Sequence, residues 1–219
     1  MYTTNLKTEN ITTDQAFEIL KAGNERFINN IGMKRDLLQQ VLENKNGQKP
    51  FAAVLSCMDS RAPVELIFDQ GIGDIFSIRI AGNIISDDVL GSLEYAVEVV
   101  GSKLVVVMGH TGCGAVKGAC DGVNIANIGK LLEKITPCVA QETTETNDRT
   151  SANGEFVNKV AAINVHHSMD EMLRQSEILR KHMDDGSLKI VAAMYDVATG
   201  KVHFSEDKLQ NEHSYAYYL

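Results

Sequence analysis

Three short apolar runs, Phe51 to Cys57, Ile75 to Ile80 and Lys103 to Met108, alternate with stretches of helical periodicity, and this alternation narrows the possible folds more than any other feature. Short runs rich in β-branched residues suit strands buried on both faces, and strands joined through helices pair in parallel with right-handed crossovers. The expected fold class is α/β: a mainly parallel central sheet with helices on both faces. Between the runs, Pro63 opens a brief helix, Val64 to Phe68, and Asp87 to Val100 has helical spacing with Asp87 and Asp88 placed to complement the helix dipole. Two short helical segments are expected between Gly109 and about Pro137. A polar loop over Thr143 to Asn153 should be the least ordered stretch, and one or two long helices cover Phe156 to Met183. Leu188 to Tyr195 and Lys201 to Phe204 flank Ala198-Thr199-Gly200, a hairpin signal that adds an antiparallel edge strand.

Ahead of the first strand, Phe17, Leu20, Phe27, Ile28 and Ile31 share one helical face, with Thr13 and Asp14 as the cap and an end near Asn30. Leu37, Leu38, Val41 and Leu42 suggest a second helix, broken by Asn46-Gly47 and Pro50. The chain of 219 residues thus divides into an N-terminal helical arm, 1–48, and one α/β domain, 49–219. With 21 Lys and Arg against 29 Asp and Glu the net charge is -8, a poor match for nucleic acid. The polar start carries no secretory core and no apolar run approaches a bilayer span, so a cytoplasmic protein with no membrane partner is expected.

Two segments at expected strand ends carry chemistry: Cys57-Met58-Asp59-Ser60-Arg61 and His110-Thr111-Gly112-Cys113-Gly114. In an open α/β sheet, ligands bind beyond the carboxyl ends of strands, so the two segments can face one crevice. Cys57, His110 and Cys113 together are a zinc donor set, and three protein ligands leave one position for water or substrate. Gly109, Gly112 and Gly114 are expected to let the backbone turn tightly around the ion. Each residue also has a plain reading, as a packed cysteine or a hydrogen-bonded core histidine, and that is the reading given to Cys120 and Cys138. A phosphate-binding loop fails because Ala115 stands where its lysine belongs. Asp59 and Arg61, two apart, can form a bidentate pair; a free Asp59 carboxylate would take the open zinc position, whereas one held by Arg61 leaves it to water.

These paired motifs, Cys57-x-Asp59-Ser60-Arg61 and His110-x-x-Cys113-Gly114, resemble those of the β-class carbonic anhydrases over about Gln48 to Gly118. The resemblance implies zinc held by Cys57, His110 and Cys113, with an Asp59–Arg61 dyad orienting a zinc-bound hydroxide that attacks carbon dioxide to give bicarbonate and a proton. It implies a substrate pocket of Gln48, Phe76, Ala81 and Tyr95, with Gly114 supplying a backbone N–H. It further implies a homodimer or homotetramer with the arm wrapped on the partner and the sites at the interface. Val54 and Ser56 stand where bicarbonate-regulated members carry tryptophan and glycine, which favours the non-regulated type. Two other readings stay open at this point: a related enzyme acting on carbon disulfide or carbonyl sulfide, and a non-catalytic zinc-stabilised scaffold. No proton shuttle is assigned; His166 and His167 read as helix packing or surface residues.

Overall fold

The computed structural model describes residues 11–205, so the first ten residues of the expected arm lie outside them. Five strands form one sheet in the order β2-β1-β3-β4-β5: β1 (Ala52–Ser56), β2 (Ile75–Arg79), β3 (Leu104–His110), β4 (Lys189–Tyr195) and β5 (Val202–Ser205). The first four pair in parallel, and β5 closes the edge antiparallel to β4. Every residue of β1 and β3 is buried, because both faces are covered. Residues alternate accordingly: Ala53, Leu55, Val105 and Val107 point into one core, and Ala52, Val54, Leu104, Val106 and Met108 into the other. Among the described residues no helix is long and apolar enough to cross a membrane.

Nine α-helices are described: α1 (Thr13–Ile28), α2 (Leu37–Asn44), α3 (Val64–Ile67), α4 (Asp87–Glu94), α5 (Gly114–Cys120), α6 (Ala126–Leu132), α7 (Thr136–Gln141), α8 (Gly154–Gln175) and α9 (Glu177–Asp184). The two short helices expected between β3 and about Pro137 are α5 and α6, and a third, α7, follows them before the polar loop. Pro137 lies in the first turn of α7, where its missing N–H costs nothing, so it opens a helix where the sequence reading placed an end. The cap of α1 is Thr12, one residue earlier than expected: its hydroxyl accepts from Gln15 N while the Gln15 side chain accepts from Thr12 N. The helix expected over Asp87 to Val100 is regular only to Glu94 and widens into a π turn over Tyr95–Val99. The loop after α7 is tied down by Arg149, whose guanidinium donates to Glu142, Glu145 O and Val139 O.

The two N-terminal helices differ in how they meet the chain. On α1, Ala16, Phe17 and Leu20 are buried in the core beneath β5 and α3, and Asn24 bridges Ile67 O, Gly200 O and Val202 N. Gly23 lets the backbones close, since a Cβ there would lie 1.8 Å from Phe68 O. Against this, α2 is held by polar side chains: Gln40 accepts from Ile72 N and Asn44 donates to Ile72 O. Its apolar residues Leu37, Leu38, Val41 and Leu42 face outward, Leu38 being 79% exposed.

Asp69, 10% exposed at its side chain, joins the end of α1 to the segment before α2 by accepting from Arg26 Nε and Arg35 Nη1, each at 2.5 Å. Burial alone would raise its pKa, but the two arginines and Met33 N outweigh it and hold the carboxyl below its ordinary value. A depressed folded pKa contributes stability that is present above the unfolded value, about 4, and is lost as pH falls through the folded value. Asp69→Asn is therefore expected to cost about 3 kcal/mol at pH 7, and less as pH drops below about 4. Urea midpoints of both proteins across pH 3 to 7 check this; a gap that does not narrow in acid would contradict it.

Candidate metal centre

Cys57 directly follows β1, and His110 is the last residue of β3. Ser56 pairs with Met108 across these parallel neighbours, so both donors leave the sheet side by side at its carboxyl end. Cys113 is the N-cap of α5, brought back to the same place by the turn Thr111-Gly112. Gly112 has φ +64°, a left-handed conformation that favours glycine. The turn is fastened by Thr111 N to Tyr195 O at 3.0 Å and by Gly112 N to Asn158 Oδ1 at 2.9 Å.

The ligand atoms of Cys57, His110 and Cys113 all lie within 4.8 Å of one another, and all three residues are buried. The two thiols are free, with Sγ atoms 3.9 Å apart. Nδ1 of His110 sits 3.0 Å from Thr111 O, which assigns the proton to Nδ1 and leaves Nε2 a lone pair. That Nε2 is buried without a hydrogen-bond partner, a costly arrangement for a polar atom unless a cation takes the lone pair. The pairing of the thiols, with burial opposing it and Gly82 N assisting, holds Cys57 far below the usual thiol value. The same pairing, reinforced by burial, pushes Cys113 up. Such a pair releases one proton readily and the second with difficulty, and a divalent cation removes that difficulty. Two sulfurs and an imidazole nitrogen thus fit a zinc ion.

Beside this cluster, Arg61 Nε and Nη2 donate to Asp59 Oδ1 and Oδ2 at 2.9 and 2.7 Å, and Arg61 N adds a third bond at 2.9 Å. This grip keeps the Asp59 carboxyl well below the usual carboxylate range. Asp59 Oδ2 stands 3.8 Å from His110 Nε2, overlooking the donors while held by Arg61. Arg79, which the sequence reading did not single out, fixes the same loop by donating to Cys57 O at 3.2 Å and Asp59 O at 2.6 Å.

Of the five residues expected to meet substrate, two lie by the cluster. Ala81 precedes Gly82, whose N–H reaches Cys57 Sγ at 3.4 Å, and Gly114 follows Cys113. Within one chain Gln48, Phe76 and Tyr95 are not brought there. Gln48 is exposed before the amino end of β1, and Phe76 pairs with Ala53, about 13 Å along the strand from Cys57. Phe76 and Tyr95 do meet each other, ring centroids 6.4 Å apart, on a groove of about 620 Å³ that also carries Ile78, Asp87 and Asp88.

A family model described as "Carbonic anhydrase" matches residues 52–202, well over half the chain. Carbonic anhydrase 2 of Mycobacterium tuberculosis is 36% identical over 194 residues, covering 85% of this chain and 89% of its own. The β-carbonic anhydrase CafA of Aspergillus fumigatus superposes with a TM-score of 0.70 at 27% identity, over 77% of this chain and 81% of that one. The chain belongs to the β-class carbonic anhydrases. A carbonic anhydrase of Mycolicibacterium smegmatis is 32% identical over 193 residues, 85% of this carbonic anhydrase and 90% of its own length. The fold is also that of tetrameric β-carbonic anhydrases from Sordaria macrospora, with a TM-score of 0.69 at 22% identity over 88% and 98% of the two chains.

The glycines around the donors serve different ends. Only Gly112 makes the turn expected of all three. Gly109 lies inside β3, where a Cβ would meet Val165 Cγ2 at 2.6 Å and Met194 Sδ at 2.8 Å, so it permits α8 to press on the strand beside His110. Gly114 opens α5 facing open space. Gly109→Ala is expected to lower stability by about 1 to 3 kcal/mol through overpacking, and Gly114→Ala by less than about 0.5 kcal/mol. Denaturant titrations of the two variants check the ranking, and equal losses would contradict it.

Proposed function

We propose that the protein catalyses the reversible hydration of carbon dioxide to bicarbonate and a proton, with a zinc ion held by Cys57, His110 and Cys113. The observation that carries this reading is the buried, partnerless Nε2 of His110 facing two free thiols in a chain of this family. When bound, zinc supplies Lewis acidity that makes hydroxide available near neutral pH. The remaining work belongs to the chain. Asp59 accepts a hydrogen bond from the attacking oxygen and so orients its lone pair, and Arg61 keeps Asp59 ionised and fixed beside the donors. Ala81 and the Gly114 N–H border the space the substrate enters.

In this reading Gln48, Phe76 and Tyr95 serve the metal centre of a second copy. Carbon dioxide is small and apolar, and an aromatic wall with one amide suits it. Three features support a partner: the outward apolar face of α2, the open edge of β2 bearing Phe76, and the 52% exposure of Tyr95. The tetrameric relatives of Sordaria macrospora share this fold.

Stopped-flow hydration of carbon dioxide by zinc-loaded protein tests the activity. Asp59→Ala should keep zinc yet turn over roughly 100-fold more slowly, whereas Cys113→Ser should lose the metal. Fully loaded protein without hydration activity would overturn the reading in favour of a structural centre. The shared pocket has its own check. Mixing Cys113→Ser chains with Gln48→Ala chains should create one intact site per hybrid dimer and recover activity that neither homodimer has; no recovery in verified hybrids would place all the residues in one chain.

A further inference from the structure

The centre of α8 carries two buried polar side chains that none of the assignments above uses. Asn164 is 1% exposed and Ser168 2% exposed, on a helix whose neighbouring positions Val160, Ala161, Ile163 and Val165 pack in the core. Burying an amide among such residues is unfavourable unless its hydrogen bonds are made, so their partners matter. Asn164 Nδ2 donates to Gly82 O at 2.8 Å, and Ser168 Oγ donates to Asn83 O at 3.0 Å. Cys138, read from the sequence as a plain buried cysteine, brings its Sγ to 3.8 Å from Asn164 Oδ1 and so holds the amide's orientation.

Both bonds converge on the short 3-10 turn Ala81–Asn83. Gly82 and Asn83 have φ of +69° and +43°, left-handed conformations that a chain seldom adopts unaided. Packing leaves the turn little freedom, since a Cβ on Gly82 would meet Ile135 Cδ1 at 2.6 Å. What the conformation accomplishes is visible on the other side of Gly82, whose N–H points at Cys57 Sγ from 3.4 Å.

We propose that Asn164 is a positioning residue: by holding Gly82 O it aims the Gly82 N–H at the Cys57 sulfur and draws electron density from the thiolate that binds the metal. This rests on the reading of Cys57 as a metal ligand. Groups one shell out from a metal set the donor strength of its ligands, and an N–H···S bond weakens donation from the sulfur. Asn164 holds the peptide unit next to the one that faces sulfur, whereas Ser168 ends one unit further along and braces the same turn from there.

Cobalt(II) substitution of the full-length protein reads this directly, because the sulfur-to-cobalt charge-transfer band in the near ultraviolet reports on the thiolates. Wild-type protein should show the band at one cobalt per chain. Asn164→Leu, of similar volume, should move it to longer wavelength, as expected of a more electron-rich sulfur, while Ser168→Ala should leave it in place. A band unmoved in Asn164→Leu overturns the proposal, and so does an equal shift in Ser168→Ala, which would report a loosened turn. Where leucine prevents folding, Asn164→Ala is used. Failure of both variants to fold while Ser168→Ala folds would make the amide structural and likewise overturn it. A wild-type protein that binds cobalt without the band would overturn the ligand reading itself.

Discussion

The parallel pairing that sets Ser56 against Met108 delivers Cys57 and His110 to one end of the sheet, and the candidate metal centre depends on it. A one-residue slip of β1 against β3 would turn β1 over, carrying Ala53 and Leu55 to the side that now receives Val54 and Val106. A slip of two would keep the faces but displace one donor by about 7 Å along the strand. Because β1 and β3 are buried on both faces, the hydrophobic contacts of the whole core enforce the register. Chemistry at the strand ends is thus positioned by packing some distance away.

Around that register the chain supplies compensation for a cluster that is hard to bury. Two thiols and an imidazole removed from water would resist ionisation, and the surrounding loops answer with charge and N–H groups: Arg79 on the Cys57 and Asp59 carbonyls, Arg61 on the Asp59 carboxylate, and Gly82 N on the Cys57 sulfur. The long helix α8 ties these loops together, reaching Gly112 through Asn158 and the Ala81–Asn83 turn through Asn164 and Ser168. One rigid element therefore touches both the turn before Cys113 and the turn beside Cys57.

How much of this could be read from the residues follows from the range of each interaction. The strands, the parallel order and the three donors were legible because β-branched runs and closely spaced motifs are local signals, as Lys103 to Met108 and His110-x-x-Cys113 illustrate. The cap at Thr12 was legible too, as Thr-x-x-Gln, and was missed by one residue. Pro137 was misread because a proline marks a helix start as readily as a helix end. Asn164 gave no signal, since its partner Gly82 lies 82 residues away and an asparagine inside a helix is uninformative until the loop it meets is known. The separation of Phe76 and Tyr95 from the donors was hidden for the same reason: a list of pocket residues does not say at which end of a strand each one falls.

The widened turn at Tyr95–Val99 bears on how the length of this segment can vary. A π turn accommodates one residue more than a regular helix would, and one residue is worth about 100° of rotation around the helix axis. Buried Ala96 and Val97 follow Tyr95, and buried Val89 and Leu93 precede it, so the two halves are anchored to the core separately. Straightening this turn at unchanged length would rotate one half against the other, pulling either its apolar anchors out of the core or Tyr95 away from Phe76, whereas deleting one residue would restore a regular helix with both halves in phase. Length changes of many sizes should therefore be tolerated in the polar loop before α8, whereas between Asp87 and Val100 only the one residue that the widened turn absorbs can be lost without disturbing the core.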